Sequence, residues 1–178
     1  MTPVYHKHTR LPGRDYTQGT FFVTLCSSDR KEFFGRIAGN GKDAVMELNG
    51  AGRIVDECWQ AIPAHFAHVR LNGTQIMPDH LHAIVVLMPV VSAGSTRWVD
   101  ATAGEFAVRH RPNGPQRGSL GAIIGAFKSV TTKRINAITG RTGGTVWQHG
   151  FHDRVVRQLG GEHDRIAQYI AENPANWR

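Results

Sequence analysis

The segment at residues 80–88, HLHAIVVLM, limits the fold more than any other stretch of this chain. Beyond its two histidines it is apolar at every position, so an extended conformation buries side chains on both faces. That predicts a central strand covered from two sides. Residues 19–28, GTFFVTLCSS, suit the same sheet, with Phe21, Val23 and Leu25 on one face. Residues 69–77 predict another strand, in which Gly73 marks a turn or bulge. Pro78 and Asp79 leave only a tight connection to the strand that follows.

Helices are read from apolar spacing. Leu48, Ala51, Val55, Cys58 and Ile62 predict an amphipathic helix within residues 43–66, closing near Pro63. Ser119 is placed to cap a helix whose apolar positions are Leu120, Ile123, Ile124, Phe127, Val130 and Ile135, broken by the glycines of residues 140–144. Residues 147–157 read as a loop and a short strand, and residues 162–173 as a last helix between Gly160-Gly161 and Pro174. Residues 90–118 show no period and predict a loop or insertion, with a short hairpin around 98–108. This order predicts an α+β domain with a ferredoxin-like antiparallel sheet and helices packed mainly on one face. One domain spans residues 1–178, well short of a barrel of about 250 residues.

At 40% hydrophobic and 20% charged residues, disorder throughout is excluded. No apolar run approaches the roughly 20 residues of a membrane span. The opening residues, MTPVYHKHTR, lack a secretory apolar region, and Cys26 and Cys58 form no CxxC. The expectation is a cytoplasmic protein with two buried free thiols.

Charge is distributed unevenly. Lys and Arg number 21 against 14 Asp and Glu, a net +7. Residues 106–152 contain no acid but hold Arg109, Arg111, Arg117, Lys128, Lys133, Arg134 and Arg141. The whole excess therefore lies there, which points to an anionic partner.

Chemistry enters with His80 and His82. Side chains at i and i+2 of a strand leave one face, so both imidazoles point together while Leu81 points away. Such a pair can share one cation and leave its other positions open to substrate oxygens. On the last helix, Tyr169 and Asn173 lie four residues apart on one face. Two readings are open: a core aromatic with a helix-ending Asn, or a nucleophile beside a metal. A phenol of pKa about 10 needs nearby positive charge to act as a nucleophile at neutral pH.

Ordered motifs extend these observations. MPDHLHAIVV resembles the His-hydrophobic-His strand of the HUH single-strand transposases with one catalytic tyrosine. HTRLPGRDYTQGTFFVTL, GAFKSVTTKRIN, VWQHGFHDRVVR and YIAENPANW resemble, in order, the REP-associated tyrosine transposases and their insertion-sequence relatives. The resemblance covers nearly the whole chain except residues 90–118. Asp79 stands where many relatives carry Asn.

The resemblance implies that His80 and His82 bind Mg²⁺ or Mn²⁺, with Asn173 as third ligand and Glu172 as the alternative. It also implies that Tyr169 attacks a phosphodiester of single-stranded or hairpin DNA, giving a 5′-phosphotyrosine and a free 3′-hydroxyl. Arg10, Arg14, Lys128, Lys133, Arg134, Arg154 and Arg157 are the candidates for DNA contact, and Trp147 and Phe151 for base stacking. Relatives act as monomers or homodimers. A second expectation is a domesticated, non-catalytic protein that only holds nucleic-acid hairpins. A zinc hydrolase of small molecules is the third, and it lacks the further ligands such a site requires.

Overall fold

The strand at Gly19–Cys26 (β1) has two chemically different faces. Phe21, Val23 and Leu25 are fully buried on one, and Thr20, Phe22 and Thr24 alternate onto the other. The computed structural model describes residues 15–89, 115–157 and 160–177. In chain order β1 is followed by β2 (Gly35–Ala38), β3 (Val45–Leu48), α1 (Gly50–Gln60), α2 (Ile62–His65), β4 (Val69–Met77), β5 (His80–Leu87), α3 (Leu120–Thr139), β6 (His152–Val155) and α4 (Glu162–Ala171). Short 3-10 turns lie between some of them.

The main sheet has the strand order β4-β5-β1-β6, with every pairing antiparallel. Reduced to these four strands with α1 and α3, the chain runs βαββαβ, the ferredoxin-like arrangement expected from the sequence. β5 is central, and Val86 alone among its residues escapes full burial. A bulge between Asn72 and Thr74, with Gly73 at φ 65°, interrupts the β4–β5 register where expected.

The principal core lies between the sheet and the α1–α3 layer. Phe21, Leu25, Leu81 and Val85 meet Val55, Trp59, Ile123 and Phe127 there. Trp59 crosses Phe127 edge-to-face at 5.0 Å and donates its indole N–H to Thr74 Oγ1 at 2.9 Å. Trp147 belongs to the same core: it is buried against Phe34 and Phe127, and its Nε1 donates to the buried Thr131 hydroxyl at 2.8 Å. It is therefore not exposed for base stacking, and Phe151 also packs partly against this core. α4 covers the opposite face of the sheet, where Ile170 is buried near the Gly73 bulge.

The expected helix over residues 43–66 is shorter. Residues 45–48 form β3, which pairs with β2 as a separate hairpin, and the helix starts only after Asn49. The Asn49 side chain accepts from Gly52 N–H at 2.9 Å and fixes that start. Leu48 matched the helical spacing because it too packs against the core, from a strand only four residues long. Pro63 sits inside the brief α2, and Gly140, at φ 64°, ends α3 as expected. The insertion at 90–118 and its hairpin lie largely outside the described residues.

Two glycine substitutions separate packing from helix propensity. A Cβ on Gly52 would lie 2.1 Å from the Phe34 carbonyl oxygen, whereas one on Gly125 of α3 would meet nothing within 4 Å. Gly125→Ala should raise stability by about 0.5–1 kcal/mol. Gly52→Ala should lower it by about 1–3 kcal/mol despite the same gain in propensity. Urea unfolding of both variants tests the contrast, and equal signs would contradict the close approach at Gly52.

Candidate active site

Antiparallel pairing sets the site. Thr24 lies opposite His82 and Cys26 opposite His80, so the imidazoles leave the sheet on the face bearing Phe22 and Thr24. The two rings lie 4.5 Å apart between centroids, and both residues are buried. Each ring has a partner at Nδ1. Thr24 Oγ1 is 2.8 Å from His82 Nδ1, and Asp79 Oδ1 is 2.5 Å from His80 Nδ1. The His82 ring also hydrogen-bonds to the Val23 backbone. A ring whose Nδ1–H is donated presents its Nε2 lone pair, the form in which histidine binds a metal.

Electrostatics keep both rings neutral. Burial lowers the His82 pKa to about 3, with His80 and Arg30 adding to the effect. Burial also lowers the His80 pKa, opposed by its hydrogen bond to Asp79. At neutral pH both are lone-pair donors rather than cations.

Tyr169 stands over this pair. Its ring centroid lies 5.5 Å from that of His82 and 6.2 Å from that of Phe22, which it meets edge-on. The side chain is not buried in the core: Tyr169 is 51% exposed. α4 ends at Ala171, two residues earlier than expected, but Glu172 and Asn173 keep right-handed helical backbone angles. Asn173 is thus carried one turn beyond Tyr169, before Trp177, whose ring is 6.0 Å from that of His80. Its side chain caps nothing.

Glu172 is directed elsewhere. It is exposed and accepts from Gln168 Nε2 at 2.8 Å. Among the described residues no group of three His, Cys, Asp or Glu side chains converges as a metal cage. Two imidazoles with no third His, Cys, Asp or Glu beside them fall short of the closed four-ligand set of a structural zinc.

Beside Tyr169 opens a cleft of about 540 Å³ between β1, β6 and α4, lined by Phe22, Thr24, His152, Arg154, Arg165 and Ile166 together with two acids. Glu162, one of those acids, accepts from Arg154 and from the Arg157 backbone N–H at 2.9 Å. These partners hold its carboxyl below the usual range.

The expected DNA contacts separate in space. Arg154 lines the cleft, and Arg157 is exposed beside it. α3 lies on the other face of the sheet, so Lys133 and Arg134 are remote from Tyr169. Lys133 is exposed there, while Arg134 bridges α3 to α1 through Glu57 Oε2 at 2.6 Å and Cys58 Sγ at 3.2 Å. Lys128 donates to the carbonyls of Gln148 and Gly150, and burial lowers its pKa to about 8. It serves as a loop anchor. Arg10 and Arg14 lie outside the described residues. Sequence reasoning missed Thr24, Arg165, Trp177 and Arg30. Of these, Thr24 was accessible from the parity of β1.

Comparisons with known proteins bear on the fold. The chain matches no protein-family model. An uncharacterized protein of Haemophilus influenzae is 29% identical over 181 residues, covering 98% of this chain and 91% of its own. A REP-associated tyrosine transposase, solved bound to a REP hairpin, matches at a TM-score of 0.51 and 16% identity, over 94% of this chain and 74% of that one. The two chains share a fold, the ferredoxin-like arrangement described above. No helix among the described residues is long and apolar enough to cross a membrane.

The depressed pKa of His82 has a consequence for stability. Between about 3 and the ordinary value of 6.5 the unfolded chain binds a proton that the folded chain excludes. The stabilisation is full above about 6.5 and is lost progressively as pH falls through that window. Thermal midpoints of the native chain should therefore drop more steeply from pH 6.5 to 4 than those of His82→Gln. Parallel profiles would refute the buried neutral imidazole.

Proposed function

We propose that this chain cleaves and rejoins single-stranded DNA at hairpin sites through a 5′-phosphotyrosine on Tyr169. The observation that carries the reading is the Tyr169 ring 5.5 Å from His82, whose own ring lies 4.5 Å from that of His80. His80, His82 and Asn173 would hold Mg²⁺ or Mn²⁺. Such an ion supplies Lewis-acid polarisation of the scissile phosphate and offsets its developing charge.

The remaining work falls to the chain itself. The Tyr169 oxygen attacks phosphorus, the bond to the 3′ oxygen breaks, and the phenol proton leaves to water through the open cleft. The departing oxygen takes a proton from solvent and becomes a free 3′-hydroxyl. Rejoining reverses these steps, because the phosphotyrosine retains the phosphodiester linkage and no ATP is required. Arg154, Arg157 and Arg165 would bind phosphates flanking the cut. Exposed Lys133 would serve the hairpin further away, on the opposite face. Support for a hairpin substrate comes from the solved neighbour, itself bound to a REP hairpin.

The decisive assay incubates the chain with Mn²⁺ and a hairpin oligonucleotide bearing a single-stranded extension, followed by a denaturing gel. A covalent protein–DNA adduct should form, vanish with chelator and vanish in Tyr169→Phe. His82→Ala should slow cleavage on the order of a hundredfold or more while leaving hairpin binding. Binding without any adduct in the native chain would instead support the non-catalytic hairpin-binding protein.

A further inference from the structure

We propose that Arg30 is a positioning residue for His80, acting through Asp79; the inference rests on the reading of the His pair as metal ligands. The Asp79 carboxylate is almost fully buried and divides its oxygens between two partners. Oδ1 faces His80 Nδ1 at 2.5 Å, and Oδ2 accepts from Arg30 Nε at 2.9 Å. Arg30 also directs NH1 at Cys26 Sγ, 3.0 Å away, so its fork is held at two points.

The local fold does not need this side-chain arrangement. Backbone bonds already secure the β4–β5 turn: Ser27 N–H donates to the Asp79 carbonyl at 2.8 Å and Phe34 N–H to the Pro78 carbonyl at 3.0 Å. The turn after β1, by contrast, is strained towards the contact. Asp29 and Arg30 are consecutive non-glycine residues at φ 56° and 54°, a region that L side chains seldom adopt. The buried Ser27 closes that turn, its hydroxyl donating to the Lys31 carbonyl at 2.6 Å. The outcome of the strain is a guanidinium aimed at a buried carboxylate.

An imidazole can rotate about its last torsion, and its hydrogen bond selects which nitrogen faces the site. For His82 the Nδ1 partner is the neutral Thr24 hydroxyl, which requires no countercharge. For His80 it is a buried anion, which does. Arg30 thus supports the hydrogen-bond partner of one ring, and reaches the other only through its charge.

Long-range ¹H–¹⁵N spectra of the full, metal-free chain labelled in histidine test this directly. The native chain should show His80 protonated at Nδ1 with Nε2 free. Arg30→Met should turn the His80 pattern into a mixture while His82 stays unchanged, and Mn²⁺ affinity by calorimetry should fall about tenfold. Arg30→Lys, which keeps the charge without the fork, should lie between. In an Asp79→Asn background, where no anion needs neutralising, Arg30→Met should have little further effect. An unchanged His80 pattern in Arg30→Met, or equal shifts of His80 and His82, would overturn the proposal. A native chain that binds no Mn²⁺ while His80 still responds to Arg30 would remove the metal reading and leave the positioning role standing.

Discussion

The register between β1 and β5 determines the rest of the molecule. With Thr24 opposite His82, odd-numbered residues of β1 enter the core and even-numbered ones form the floor of the site. A slip of one residue would turn the apolar set outward and deprive His82 of its hydroxyl partner. The register is enforced by Phe21, Val23 and Leu25 on one side and Leu81, Ala83, Val85 and Leu87 on the other, all buried under α1 and α3. Precise placement of the imidazoles therefore derives from hydrophobic burial on the opposite face of the same strands.

On that foundation polar groups do the orienting. The two histidines solve one problem with different chemistry, a hydroxyl for His82 and a paired carboxylate for His80. Both arrangements hold the ring at Nδ1. Positive charge is partitioned by the sheet: Arg154 and Arg165 border the cleft, and Lys133 lies behind it. Lys128, Lys133 and Arg134, on α3 within the acid-free segment, do not line this cleft. Part of the segment's charge works as structure, as Lys128 and Arg134 show.

Much of the fold was legible because its signals are periodic. The both-faced apolar run of β5, the alternation of β1, the Ser119 cap and the Gly140 break each map to one local cause. The β2–β3 hairpin was not legible, since four-residue strands carry too little period and Leu48 mimicked a helical position. Within the site, His80, His82 and Tyr169 were visible because parity and spacing alone put them on defined faces. Arg30 was not, since its reach depends on a positive φ at a non-glycine residue, which no composition rule announces. Trp147 was ambiguous for a related reason: only tertiary packing decides whether an indole between loops is buried.

α4, which carries the phenol, is attached differently from the strands beneath it. Ile170 is its one fully buried residue among those described; its N-terminus follows two glycines at φ 81° and 67° and has no side-chain cap. Glu162 at the rim supplies the polar tether. An element with so little buried surface opens at a lower free-energy cost than the sheet it rests on. Amide hydrogens of α4 should accordingly exchange well before those of β1 and β5, which makes the helix a separable layer on a rigid base.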